Sequence, residues 1–132
     1  MHWMEAMDRQ AQRTVLVVED GSVLYLAIKL ALSRHGWRCE WYAYAPSSMD
    51  ELQGLGADGA LIDVNLAAGN GIDPVVQMQA EGINIPIIVM TGYIDAAEKV
   101  RAMAQANVQV LLKPFDLHKM REMLSQAMDA AV

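Results

Sequence analysis

The stretch Thr-Val-Leu-Val-Val-Glu-Asp, residues 14–20, decides the fold class of this chain. Thr14–Val18 is an unbroken run of β-branched and apolar residues, and two acids, Glu19 and Asp20, follow it directly. A short apolar run without alternation is typical of a strand buried on both faces, as in a parallel sheet. We therefore predict a central parallel strand with two carboxylates at its carboxyl end.

Apolar runs alternate with helical patterns through the rest of the chain. Further strands are predicted at Trp37–Ala43, Gly59–Asp63, Ile85–Met90 and Val108–Leu112. Helices are predicted at Ser22–His35, from Ser47 or Ser48 to Leu52, and at Pro74–Gly82, Asp95–Gln105 and Leu117–Ala130. Gly36 is predicted to cap the first helix in the left-handed conformation. This alternation predicts an α/β fold, a (βα)5 doubly wound five-stranded parallel sheet with helices on both faces.

The composition fits one globular domain and argues against several classes of function. The 132 residues are 54% hydrophobic, so we assign residues 14–132 to one domain and residues 1–13 to an N-terminal tail. A net charge of −6 disfavours a nucleic acid or an anionic membrane as a direct partner. The single Cys39 excludes an internal disulfide and fits a reducing, cytoplasmic setting. No apolar run approaches the roughly 18 residues of a membrane span.

Chemically active side chains follow four of the predicted strands. Glu19 and Asp20, Asp63, Thr91 and Lys113 come from segments far apart in the chain. The carboxyl ends of parallel strands meet at one edge of a sheet, where ligands bind in this class of fold, so we expect one shared site. Each residue alone has an ordinary explanation as a helix cap, a turn hydroxyl or a surface charge. Three crowded carboxylates, however, repel one another unless a cation compensates them.

The donor types at this edge favour Mg²⁺ and phosphoryl chemistry. Ligand sets made of oxygen atoms are typical of Mg²⁺ rather than zinc, and the three histidines show no metal-ligand spacing. One carboxylate could then act as a nucleophile toward a phosphoryl group. The ammonium group of Lys113 and the hydroxyl of Thr91 would stabilise the phosphoryl oxygens.

Four motifs extend this pattern to a known family. They are Val-Val-Glu19-Asp20, Leu-Ile-Asp63-Val-Asn65, Val-Met-Thr91-Gly92-Tyr93 and Leu-Leu-Lys113-Pro114-Phe115. Over residues 14–128 the chain resembles the receiver domain of two-component response regulators, the CheY-like fold. The resemblance implies the flavodoxin-like strand order 2-1-3-4-5.

The resemblance also implies roles for individual residues. Asp63 is expected to be the phosphoacceptor. Glu19, Asp20, Asp63 and the backbone carbonyl of Asn65 are expected to hold Mg²⁺. Thr91 is then the switch hydroxyl, and Lys113 pairs with the phosphoryl group.

Four further positions are expected to modulate the switch, namely Gly92, Tyr93, Val110 and Pro114. Pro114 is expected to follow a cis peptide bond. Val110 departs from the family, which usually has Tyr or Phe there, so an aromatic readout of phosphorylation is not predicted for this chain.

The implied partners are a sensor histidine kinase or a histidine phosphotransfer protein, and a downstream protein target. A phosphorylation-dependent homodimer is a further hypothesis. Such a chain catalyses only its own phosphorylation and dephosphorylation, and it would be either a stand-alone regulator or an excised domain of a larger one.

Two alternatives stay open at this point. A Mg²⁺-dependent phosphatase of the haloacid-dehalogenase kind uses a similar residue set, although it has its nucleophile in the first strand. A degenerate receiver that serves only as a docking module is the other alternative, and Val110 keeps it open.

Overall fold

Five parallel strands form the central sheet. The computed structural model describes residues 13–43, 56–66, 69–70, 72–103 and 107–131. The strands are β1 (Thr14–Val18), β2 (Arg38–Tyr42), β3 (Gly59–Asp63), β4 (Ile87–Thr91) and β5 (Val108–Leu112). The described helices are α1 (Ser22–Ser33), α2 (Ile72–Ala80), α3 (Ile94–Met103) and α4 (Leu117–Ala130). The strands pair in the order β2-β1-β3-β4-β5, which confirms the predicted doubly wound fold and its strand order.

Burial explains why the central strands are recognisable in the sequence. Every residue of β1, β3 and β4 is buried, and β1 and β3 have the predicted bounds. The edge strands β2 and β5 are only partly buried, and polar residues interrupt them. The apolar runs therefore mark the middle of the sheet, where both faces are covered.

Helices cover both faces of the sheet. Successive residues of a strand point to opposite faces, so β1 contributes Val15 and Val17 to one core and Leu16 and Val18 to the other. The first core contains residues of α1 and α4, and the second contains residues of α2 and α3. None of the four described helices combines the length and the apolar character that crossing a bilayer requires.

The fourth strand differs from its prediction at both ends. It begins at Ile87 rather than Ile85, and Pro86, just before it, has no N–H to contribute to the ladder. It continues through Thr91, which pairs with Leu112 of β5. Thr91 is therefore the last residue of β4 and lies at the carboxyl edge of the sheet.

The connection between α1 and β2 is tighter than predicted. The helix ends at Ser33, two residues before the predicted end, and Gly36 has a φ of +86°, the left-handed conformation predicted for it. The N–H of Trp37 donates to the carbonyl of Leu32 (3.2 Å), so Trp37 belongs to this turn and β2 begins at Arg38.

Some predictions lie outside the described residues. These are the N-terminal tail up to residue 12, the short helix beginning at Ser47 or Ser48, and the end of the helix predicted to reach Gln105. The loop after β3 contains an element that the sequence did not predict, a small antiparallel pair of Asn65–Leu66 with Gly69–Asn70. It begins two residues after Asp63.

Candidate functional site

The carboxylates of Glu19, Asp20 and Asp63 meet at the carboxyl edge of the sheet. One ligand oxygen of each lies within 4.8 Å of those of the other two. Glu19 and Asp63 are buried and Asp20 is exposed. The cause is topological, because β1 and β3 are neighbours and both end here. The predicted meeting of these three side chains in one pocket is confirmed.

Lys113 reaches the same pocket from the end of β5. Its Nζ donates to Oδ2 of Asp63 (2.9 Å) and to Oε2 of Glu19 (3.1 Å). Burial alone would lower the pKa of Lys113, but the hydrogen bonds to Asp63 and Glu19 outweigh it and raise the pKa above its ordinary value. The side chain therefore stays an ammonium ion. The Lys113–Pro114 peptide bond is cis, as the resemblance implies.

The carboxylate of Glu19 is held at both oxygens. Oε1 accepts a hydrogen bond from the N–H of Gly21 (3.1 Å), and Oε2 accepts the one from Lys113. A Cβ atom at residue 21 would lie 3.2 Å from Oε1, so a glycine suits this close approach. Burial raises the pKa of Glu19, and the Asp63 carboxylate adds to this, while the hydrogen bonds from Gly21 and Lys113 oppose it. The net direction of the pKa is upward, mainly because burial disfavours the charged carboxylate.

Thr91 and Asn65 form the third part of the site. The fully buried Thr91 hydroxyl donates to Oδ1 of the Asn65 side chain (2.7 Å) and accepts from the N–H of Tyr93 (3.1 Å). The N–H of Asn65 in turn donates to Oδ1 of Asp63 (2.8 Å). Asn65 thus connects Asp63 to Thr91. From the sequence, only the backbone carbonyl of Asn65 was predicted to take part, as a Mg²⁺ ligand. The signal for a role of its side chain was the presence of an amide two residues after Asp63.

Trp41 is a second residue that sequence reasoning missed. It lies in the edge strand β2, and its Nε1 donates to the backbone carbonyl of Glu19 (2.7 Å). Its ring stacks on that of Tyr25 in α1, with the centroids 4.2 Å apart and an angle of 7° between the planes. Its place depends on the register of the two strands, because Trp41 pairs with Val17 and therefore lies beside the end of β1, and no local sequence pattern specifies that register.

The four residues predicted to modulate the switch lie in different environments. Gly92 and Tyr93 follow Thr91 on the surface, and Tyr93 is 65% exposed. Val110 pairs with Val89 and packs, partly buried, against the core beneath α2 and α3. A small aliphatic side chain therefore occupies the position where the family usually has an aromatic ring. Pro114 is exposed.

The fold and the site together define a class of protein. Three clustered carboxylates, a lysine and a buried hydroxyl lie at the carboxyl edge of a sheet ordered 2-1-3-4-5, which defines a CheY-like α/β domain with a candidate cation site. The family model described as response regulator receiver domain matches residues 15–125. The chain belongs to this family.

Known relatives agree with this assignment. The chain is 27% identical over 117 residues to the transcriptional regulatory protein FixJ of Bradyrhizobium diazoefficiens, an alignment that covers 89% of this chain and 57% of FixJ. Other curated relatives are matched over about half of their length or less. Receiver domains are signalling modules rather than metabolic enzymes, so the alternative of a haloacid-dehalogenase-like phosphatase is wrong.

Solved receiver domains have the same fold. The receiver domain of Francisella response regulator 1452 superposes on this chain with a TM-score of 0.80 at 16% sequence identity. The superposition covers 92% of this chain and 100% of the Francisella domain. The receiver domain of the sensor histidine kinase PA1611 from Pseudomonas aeruginosa PAO1 gives a TM-score of 0.77 at 23% identity, covering 89% of this chain and 98% of that one. The PA1611 domain has a magnesium ion coordinated in its active-site cleft.

Proposed function

We propose that this chain is a phospho-accepting receiver of a two-component phosphorelay, with Asp63 as the phosphoacceptor. The observation that carries the proposal is the position of the Asp63 carboxylate. It lies 2.9 Å from the Lys113 ammonium group and within 4.8 Å of oxygens from Glu19 and Asp20. A nucleophilic carboxylate, a cation and further acids for a metal ion are the parts that phosphoryl transfer to aspartate requires.

The donor set fits Mg²⁺. Glu19, Asp20 and Asp63 offer only oxygen atoms, and the backbone carbonyl of Asn65 is proposed as a fourth ligand. When bound, Mg²⁺ would neutralise these acids and the charge on the phosphoryl oxygens. The magnesium ion in the cleft of the PA1611 receiver domain supports this choice of ion.

The residues of this chain have separate tasks in the transfer. A carboxylate oxygen of Asp63 attacks the phosphorus of a phosphohistidine, a P–O bond forms as the P–N bond breaks, and the imidazole leaves with the electron pair. The Lys113 ammonium group moves its hydrogen bond from the Asp63 carboxylate to the new phosphoryl oxygens. The Thr91 hydroxyl donates a hydrogen bond to the same oxygens, which requires that its hydrogen bond to Asn65 be broken.

The donor and the target of the phosphoryl group are proposed from the family. The phosphoryl group comes from a sensor histidine kinase or a histidine phosphotransfer protein in the cytoplasm, and the switched face binds a downstream protein or a second copy of the chain. Tyr93, which is exposed two residues after Thr91, influences the access of water to the phosphoaspartate. Gly92, Val110 and Pro114 shape the segments that move when Thr91 changes its partner.

Mass spectrometry tests the proposal directly. We expect incubation with acetyl phosphate and Mg²⁺ to add one phosphoryl group, located at Asp63, and the bond to be labile in base. Protein that takes up no phosphate under these conditions would contradict the assignment and favour the docking-module alternative.

Magnesium should stabilise the folded protein. At a free Mg²⁺ concentration ten times its dissociation constant, an ion that binds only the folded state adds about 1.4 kcal/mol to the free energy of unfolding. For a domain of this size the Tm should rise by about 5 °C, which calorimetry measures against potassium chloride at equal ionic strength. An unchanged Tm at millimolar Mg²⁺ would count against the cation site.

Replacing Asn65 by Ala should ease the switch. The substitution removes the acceptor of the Thr91 hydroxyl in the unphosphorylated state, and a hydrogen bond of this kind contributes about 1 kcal/mol. We expect beryllofluoride, a mimic of the phosphoryl group, to bind about fivefold more tightly to Asn65→Ala in a calorimetric titration. Asn84→Ala, at an exposed position in the loop before β4, is the matched control and should leave this affinity unchanged. Weaker binding by Asn65→Ala would mean that Asn65 supports the phosphorylated state instead.

A further inference from the structure

Residues of the edge strand β2 form hydrogen bonds with both the N–H and the carbonyl of Glu19. The N–H of Glu19 donates to the carbonyl of Tyr42 (3.0 Å), and the carbonyl of Glu19 accepts from Nε1 of Trp41 (2.7 Å). The first bond continues the parallel ladder between β1 and β2. The second is a side-chain bond at the point where that ladder ends and the acidic loop begins.

The orientation of the Trp41 ring is set by α1. Tyr25 is 6% exposed, and its ring lies parallel to that of Trp41 at 4.2 Å. The N–H of Tyr25 donates to the carbonyl of Gly21 (2.9 Å), which closes the first turn of the helix directly after the acid pair. The aromatic pair therefore connects β2 to the helix that follows Glu19, and it directs the indole N–H at the Glu19 peptide.

Packing alone does not explain why a tryptophan lies at position 41. Trp41 remains 41% exposed at the edge of the sheet, so the residue is only partly covered by the rest of the protein. The indole nitrogen has a short hydrogen bond to a peptide carbonyl, at the short end of the range for N–H donors. Trp37, one residue before β2, differs in both respects, because it is buried and its Nε1 has no hydrogen-bond partner.

We propose that Trp41 is a positioning residue for the cation site, which acts by holding the Glu19 backbone so that the Glu19 carboxylate faces Asp20 and Asp63. This role rests on the proposed function, since it concerns the same Mg²⁺ site. Both carboxylate oxygens of Glu19 accept hydrogen bonds at 3.1 Å, one from Gly21 and one from Lys113. A shift of the Glu19 backbone would disturb these two hydrogen bonds and change the direction of the carboxylate. Mg²⁺ demands nearly ideal octahedral geometry, whereas Ca²⁺ tolerates irregular coordination. Loss of this positioning should therefore weaken Mg²⁺ binding more than Ca²⁺ binding.

The test is a calorimetric titration of the full chain with Mg²⁺ and, separately, with Ca²⁺. Trp41→Phe keeps an aromatic ring that can stack on Tyr25, and it removes the N–H donor together with part of the ring surface. We expect its dissociation constant for Mg²⁺ to rise about fivefold and that for Ca²⁺ to rise by a smaller factor. The Mg²⁺-to-Ca²⁺ ratio is the decisive quantity, because general destabilisation would not change the preference between two ions.

Trp37→Phe is the matched control. It removes an indole from the core at the other end of β2, so it should lower the Tm and leave both dissociation constants unchanged. Equal Mg²⁺ affinities for wild type and Trp41→Phe, or equal losses for the two ions, would overturn the positioning role. Wild-type protein that binds neither ion would instead overturn the proposed cation site, and this role with it.

Discussion

Replacing Asp63 by Asn will abolish labelling by acetyl phosphate. The amide has nearly the shape of the carboxylate but lacks its charge and nucleophilicity, so no phosphoryl bond can form at residue 63. Mass spectrometry with Mg²⁺ present should find the single phosphate of the wild-type protein absent. Asp129→Asn, near the exposed end of α4, should be labelled like the wild type. Label that survives in Asp63→Asn would place the acceptor elsewhere.

The same substitution should leave the fold intact and no less stable in metal-free buffer. It removes one of three carboxylates that crowd a single pocket, while Lys113 keeps its bond to Glu19. Urea denaturation without metal should therefore show an unchanged or higher midpoint. This result separates a chemical role of Asp63 from a structural one, because a variant that is unlabelled through unfolding would have a lower midpoint.

The second large effect is expected for Lys113→Met. Methionine keeps most of the side-chain volume, but it leaves Glu19 and Asp63, both buried, without the cation that they share. Breaking a buried ion pair by removing one partner is strongly destabilising, so we expect the free energy of unfolding at pH 7 without metal to fall by about 3 kcal/mol. Urea denaturation measures this loss. Lys119→Met, on the exposed side of α4, is the control and should change it little.

The pH dependence of this loss has a defined direction. Burial raises the pKa of Glu19 above its ordinary value of 4.5, so the stability linked to this group is complete below pH 4.5 and is lost as the pH rises through the folded-state pKa. Removing Lys113 takes away a partner that lowers the pKa of Glu19. The loss of stability in Lys113→Met should therefore be largest at neutral pH and smaller near pH 4.5. Added Mg²⁺ should also reduce it. A deficit that does not depend on pH or on Mg²⁺ would mean that Lys113 acts through packing.

Much of the fold and the main members of the site could be predicted from the sequence. Thr14–Val18, Gly59–Asp63 and Val108–Leu112 have the predicted strand bounds, because each is a short, mainly apolar run next to turn or polar residues. The meeting of the acids followed from a rule of topology rather than from any single residue. A parallel sheet brings the carboxyl ends of its strands together.

The parts that were missed depend on register and on side-chain conformation. The position of Trp41 beside Glu19 follows from the pairing of β2 with β1, and no local pattern specifies which residue of an edge strand lies there. The hydrogen bond from Thr91 to Asn65 depends on the path of the chain after β3, where an unpredicted pair of short strands forms. Both are contacts between segments distant in sequence, and they become visible only in three dimensions.

The ammonium group between Glu19 and Asp63 also fixes the charge that the pocket can accept. With all groups ionised, three carboxylates and one lysine leave an excess of two negative charges. One divalent ion balances that excess, whereas a monovalent ion leaves it half balanced. Phosphorylation converts the Asp63 carboxylate, with one negative charge, into an acyl phosphate with about two, so the metal-loaded pocket would gain one negative charge beside the lysine and the metal. The charges of these side chains would therefore favour a doubly charged ion in the resting protein.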